Sequence, residues 1–151
     1  MQRYVMKDKG FSSTNGFVFT DEADRQLYRA DGINWTISRE YAFKNADGEE
    51  LVHLKQKLFS LVPTWTISRY HGPSATLRKS GGKYTIDTPE QPRVKVDQSF
   101  AGREFSFTRE DRTIARVTRK AVSLTENCVV EVETSEDAEM ILASMVAIFD
   151  T

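Results

Sequence analysis

From Leu51 to Ile86 the chain contains no Asp or Glu, while Lys55, Lys57, Arg69, Arg78, Lys79 and Lys83 fall there together with both histidines, His53 and His71. Cations without counter-ions in the same stretch suit one kind of chemistry, the holding of an anion such as a phosphate, a carboxylate or the headgroups of an acidic bilayer. Period-two alternation along Leu51–Phe59 turns Val52, Leu54 and Leu58 inward and leaves His53, Lys55 and Lys57 as an outward column. In a second copy of this strand, Arg116 and Lys120 take the positions of His53 and Lys57. Lys55, Lys57, Arg69, Arg78, Lys79 and Lys120 are therefore the candidate anion- or lipid-binding residues. A plainer role fits the same column, since lysines on solvent faces protect strand edges and keep a sheet soluble.

Catalytic chemistry finds little footing. His53 is expected to face outward and His71 lies in a Gly-Pro turn, so neither has an evident acid partner or nucleophile, and no G-x-S-x-G is present. Two histidines without a spaced carboxylate make no metal site. Gly81-Gly82 reads as a hairpin turn with no following helix, which excludes a phosphate loop at a helix N-terminus. Asp97, Glu104, Glu110 and Asp111 are scattered as on a solvated surface. The chain reads as non-enzymatic, with no cofactor expected. Apolar residues before Pro63, Phe59 and Leu61, together with Phe11 at the matching place near Asn15-Gly16, are expected to plug the end of a closed sheet. Shallow insertion into a bilayer is the alternative.

The elements that must carry these residues are legible. Lys57-Leu58-Phe59-Ser60-Leu61 followed by Trp65-Thr66-Ile67 is nearly repeated by Lys120-Ala121-Val122-Ser123-Leu124 followed by Cys128-Val129-Val130. A fainter copy has Lys9, Phe11, Ser12 and Phe17-Val18-Phe19. The repeats are unevenly spaced, which argues against a solenoid or propeller and for a closed or layered sheet. Short β-rich runs are predicted at Arg3–Lys7, Gly16–Thr20, Gln26–Ala30, Asn34–Ser38, Tyr41–Lys44, Leu51–Phe59 and Thr64–Tyr70. They continue at Ala75–Lys79, Lys83–Asp87, Arg93–Val96, Arg103–Thr108, Thr113–Ala121 and Cys128–Glu133, with glycine turns between many of them.

The C-terminus differs. Ser135 is the expected N-cap, Glu136, Asp137 and Glu139 oppose the helix dipole, and Ala138–Phe149 is apolar on every face. At about 18 Å such a helix is too short for a bilayer of about 30 Å, so it is expected to be buried.

Composition sets the remaining bounds. The chain has 151 residues, 28% of them charged, with a net charge of −1. One domain spanning 1–151 is expected, with no general affinity for nucleic acid. The single cysteine, Cys128, excludes an intrachain disulfide and is read as core. The charged N-terminal segment lacks the apolar run of a signal peptide, and Gln2 stands where myristoylation needs glycine, so a cytoplasmic protein is expected, in one reading peripheral to the membrane.

Leu54-Lys55-Gln56-Lys57-Leu58-Phe59-Ser60-Leu61, Ala115-Arg116-Val117-Thr118-Arg119-Lys120 and Glu136-Asp137 before the apolar helix ending Ile148-Phe149-Asp150 resemble the LURP-one-related family. Its fold is similar to the C-terminal domain of Tubby proteins. The resemblance implies a barrel of about twelve strands around a buried hydrophobic C-terminal helix. Tubby domains bind phosphoinositide headgroups, and phospholipid scramblases resemble the same fold. A non-enzymatic domain binding anionic phospholipid or phosphoinositide headgroups is thus implied, with an adaptor that turns the basic face of 51–86 to an acidic protein as the alternative. One departure is visible: Cys128 stands where the other copies have Phe17 and Trp65, which points to a locally different packing.

Overall fold

The computed structural model of the protein describes residues 1–8, 16–33, 37–99, 102–122 and 125–151, with backbone alone at 120–122 and 125–126. The strands are β1 (Gln2–Asp8), β2 (Gly16–Thr20), β3 (Gln26–Gly32), β4 (Glu40–Asn45), β5 (Glu50–Gln56), β6 (Thr64–Arg69), β7 (Ala75–Ser80), β8 (Lys83–Asp87), β9 (Val94–Gln98), β10 (Glu104–Arg109), β11 (Arg112–Val122) and β12 (Thr125–Val132). The helix α1 is Ala138–Phe149. Each strand pairs antiparallel with its predecessor, and β12 returns to β1 with Gln2 opposite Val132, so the sheet closes into a barrel of twelve strands. Every strand then has two neighbours, and no edge is left for lysines to protect.

Alternation along each strand decides what fills the interior. Leu54 sits opposite Ile67, Trp65 opposite Leu77 and Leu77 opposite Ile86, so inward residues form layers across neighbouring strands. All of them are buried. The space they enclose is occupied by α1, whose Leu142, Ala143, Met145, Val146 and Ala147 are fully buried. Ser144, equally buried, donates its hydroxyl to the Met140 carbonyl at 2.7 Å, so the one polar side chain between Met140 and Phe149 is satisfied by the helix itself.

Local differences from expectation have local causes. The cap is Asp137 and not Ser135: the Glu136 amide bonds the Glu133 carbonyl in a turn, and the Asp137 carboxylate then accepts from the Met140 amide at 3.2 Å. β5 stops at Gln56, three residues before the expected end at Phe59. After the Lys57 amide bonds Thr64 (2.8 Å) the chain must reverse, and Leu58, expected inward, is 49% exposed. Of the expected strand Asn34–Ser38, 34–36 lie outside the described residues, and Ile37 and Ser38 form a bend. Lys9, Phe11, Ser12 and Asn15 likewise lie outside them.

The internal repeat holds in its inside–outside phase. Trp65 is fully enclosed and Cys128 buried, while Phe17 is half-buried and stacks on Phe149 of α1 at 6.4 Å. Cys128 is therefore expected to react slowly with thiol reagents in native protein and rapidly after denaturation. Equal rates in the two states would place the cysteine outside the core.

Candidate functional site

The acid-free stretch of sequence is not acid-free in space. Lys55 reaches Glu40 across the β4–β5 pair at 3.8 Å, Arg78 reaches Asp87 across β7–β8 at 3.3 Å, and Lys83 reaches Asp97 at 3.5 Å. His53, expected to lack an acid partner, has Nε2 at 3.0 Å from Glu40 and Nδ1 at 3.3 Å from Glu50. For all but Glu50, which lies on β5 itself, the reason is general to hairpin sheets: the nearest charges to a strand residue sit on adjacent strands and outside its own window of sequence. Such partly exposed pairs are each worth about 0–1 kcal/mol, so their main effect here is to cancel charge on the wall.

Arg69 shares the inward face of β6 with Trp65 and Ile67. At the end of that strand it turns under the rim, only 9% exposed, and ion-pairs with the N-cap Asp137 and, at 3.9 Å, with Glu139. Arg109 and Arg112 hold Glu136 from the other side. These arginines clamp the helix entrance.

Lys79 is also inward in phase. It lies at the opposite end, with its ammonium 5.8 Å from the Tyr84 ring centroid and its amide bonded to the Pro63 carbonyl at 3.0 Å. Lys57 is exposed at the start of the β5–β6 connection. Lys120 lies on β11 opposite Asn127, with its side chain outside the described set. The structure thus divides the candidates: Lys55 and Arg78 lie on the outer wall, Lys57 and Lys79 at one end, and Arg69 at the other.

The two ends differ in kind. Strand alternation sends the β2–β3, β4–β5, β8–β9, β10–β11 and β12–α1 connections to the end where the helix enters, and these carry Asp21, Glu22, Asp24, Asp47, Glu49, Glu90, Glu110, Asp111, Glu133, Glu136 and Asp137. At the other end, the described residues of the β3–β4, β5–β6, β7–β8 and β9–β10 connections include Arg39, Lys57 and Arg103 and no Asp or Glu. Acids stand just inside this end on the strands themselves, Asp8 at the end of β1, Glu40 at the start of β4 and Glu104 at the start of β10, and the helix C-cap Asp150 is bound by Arg39. Because α1 has no basic residue in its last turn, Arg39 also supplies the positive charge that its negative dipole end favours.

This acid-poor end carries most of the exposed apolar side chains, Met1 and Tyr70 being at the other. Phe59 (103%), Leu61 (106%) and Ile37 (94%) are as open to water as in an extended peptide, and Leu58 and Val62 flank the first two. The expectation that Phe59 and Leu61 plug the barrel is therefore overturned. Phe149 fills that role, stacked on Phe17 and edge-on to Phe105 at 5.7 Å, with Tyr41 and Trp65 beside them. The Trp65 indole donates to Thr151 at 2.9 Å, and burial, with Asp150 adding to it, raises the Tyr41 hydroxyl well above its ordinary pKa, so it remains neutral.

Phe59 also has φ +58°, a left-handed conformation that a bulky residue rarely adopts. Both its strain and its exposure are costs to the folded monomer. A sequence signal existed in the non-alternating Leu58-Phe59-Ser60-Leu61-Val62 run before Pro63; for Arg39 there was none.

Among the described residues no group of three or more His, Cys, Asp and Glu is placed to hold a metal ion, and no described helix is long and apolar enough to cross a membrane. The family model described as LURP-one-related matches residues 2–150. In sequence the chain is similar to the uncharacterized protein YxjI of Bacillus subtilis (strain 168), 29% identical over 68 residues, which is 45% of this chain and 42% of that protein. Less than half of that relative's length is therefore matched. In structure it is similar to a protein from Arabidopsis thaliana known from its X-ray structure, with a TM-score of 0.69 and 16% identity over 99% of this chain and 90% of that one. Identity this low shows the fold alone.

Proposed function

Because the chain belongs to the LURP-one-related family and its barrel is filled along its length by its own helix, leaving recognition to the wall and the two ends, we propose that it is a non-catalytic domain that seats end-on against an anionic membrane. The observation that carries this reading is the β5–β6 connection. Phe59 and Leu61 stand fully exposed there, with Lys57 and Lys79 beside them and no described acidic residue in any connection at that end. Apolar side chains entering the headgroup region with lysines level with the phosphates is how peripheral proteins hold a bilayer reversibly. The acid-rich opposite end would be repelled by the same surface, so the charge distribution fixes an orientation as well as an affinity.

Flotation with vesicles is the test. Native protein is expected to float with vesicles containing phosphatidylserine or phosphoinositide, to stay behind with phosphatidylcholine alone, and to bind less as salt rises. Each basic residue near such a surface is worth about 1 kcal/mol, so Lys57→Glu with Lys79→Glu should weaken binding at least about tenfold. Asp47→Lys with Glu49→Lys, at the far end, should not weaken it. If the wild-type protein ignores anionic vesicles at low salt, an acidic protein partner becomes the better occupant of this end.

A further inference from the structure

Ala115 and Val117 are buried on the inner face of β11, and the same alternation carries Arg119 into the barrel at the helix C-terminus. Its guanidinium carbon lies 4.6 Å from the ring centroid of Phe149 and 5.5 Å from that of Phe105. Its Nε is sealed from solvent without a hydrogen-bond acceptor, and among the described residues Arg119 makes no ion pair. Beside it is a cavity of about 140 Å³ walled by Met6, Asp8, Phe17, Cys128 and Phe149. That is several times the ~10–15 Å³ needed for one water on the same measure. A desolvated Nε–H left without an acceptor is costly, and such groups in native proteins commonly mark an ion or water nearby.

We propose that Arg119 and this cavity form a binding site for a singly charged oxyanion borne on a small apolar body, of the phosphodiester or carboxylate class. The rings of Phe105 and Phe149 lie against the guanidinium carbon, and its terminal N–H groups are the donors that would meet the anion. Met6, Phe17 and Phe149 give the apolar substituent its contacts. One guanidinium balances one negative charge, which favours a diester or carboxylate over a phosphate monoester. The site shares the acid-poor end with the proposed membrane contact but stands on other strands, β11 and β12 lying across the ring from β5 and β6.

Cys128, on the same wall, makes occupancy measurable in the unaltered protein. Its alkylation by iodoacetamide in native protein should slow about tenfold in dibutyl phosphate at about ten times its dissociation constant, because the bound state protects by mass action. Tributyl phosphate, equally apolar and uncharged, should not protect. Arg119→Gln should weaken the protection at least about tenfold and Arg119→Lys less, since the charge survives without the fork. A soluble diester is the ligand if dibutyl phosphate protects without lipid. If only phosphatidylserine vesicles protect, the anion is a lipid headgroup. Protection by neither, or equal protection by the uncharged ester or in Arg119→Gln, overturns the site. Flotation through the Phe59–Leu61 loop should be unchanged in Arg119→Gln, so the two proposals fail separately.

Discussion

Leu142→Asp is expected to abolish folding. Leu142 lies fully enclosed in the helix that fills the barrel, with no solvent path for a carboxylate. The uncompensated charge would cost several kcal/mol, comparable with the ~5–15 kcal/mol that holds a domain of this kind together. Deleting 135–151 should have the same outcome by the opposite route, since it leaves inward Trp65, Phe105 and Leu77 facing an empty apolar chamber. Leu142→Ala is the graded version. It removes the side chain but keeps the helix, and should cost roughly 2–5 kcal/mol depending on how far the neighbours relax. Urea unfolding followed by circular dichroism measures all three. A soluble truncated protein that unfolds cooperatively would mean that the strands close without their filling and that the helix is a guest in the barrel.

The second large effect is expected at the loop tip. Phe59→Asn together with Leu61→Ser removes the two most exposed apolar side chains of the acid-poor end. Complete burial of such residues is worth about 1.5–3 kcal/mol each. Even half of that, on entering the headgroup region, makes the pair worth about 1.5–3 kcal/mol, so vesicle binding should fall by about 10- to 100-fold. Stability in solution should not fall, because asparagine tolerates the left-handed backbone at position 59 better than phenylalanine does. That combination, weaker binding with an intact or firmer fold, separates a contact surface from a packing element. Vesicle binding equal to wild type would remove the loop from the membrane contact and leave only the basic residues to explain any attraction.

How far the site could be read ahead depended on which physical distance mattered. Strand phase is a local property, set by alternation of side chains every two residues, and Val52, Leu54, Trp65 and Cys128 fell inward as their patterns required. The helix was local in the same sense: a run from Met140 to Phe149 that is apolar on every face, with Ser144 its one polar residue, has nowhere to go but inside. Charge neutralisation is not local. Lys55, Arg78 and His53 looked unpaired within an acid-free window, yet Glu40 and Asp87 are brought beside them by hairpin pairing, and Glu50, one residue outside the window, reaches His53 along β5. Arg69 looked like a surface cation, and one position at the rim made it a clamp on the helix N-cap.

By itself the amino-acid order determined that the chain forms many short strands and one buried helix, because hairpin turns, alternation and an all-apolar face are written in residues a few positions apart. Only the tertiary structure decided where chemistry collects. Closure of the barrel sends successive connections alternately to its two ends, sorting Asp21, Asp47, Glu90 and Glu110 to one end and Arg39, Lys57, Phe59 and Leu61 to the other. No window of sequence contains that division. Its cause is that an antiparallel strand reverses the chain at every turn, so residues far apart in order share an end while those a strand's length apart are separated by the whole barrel.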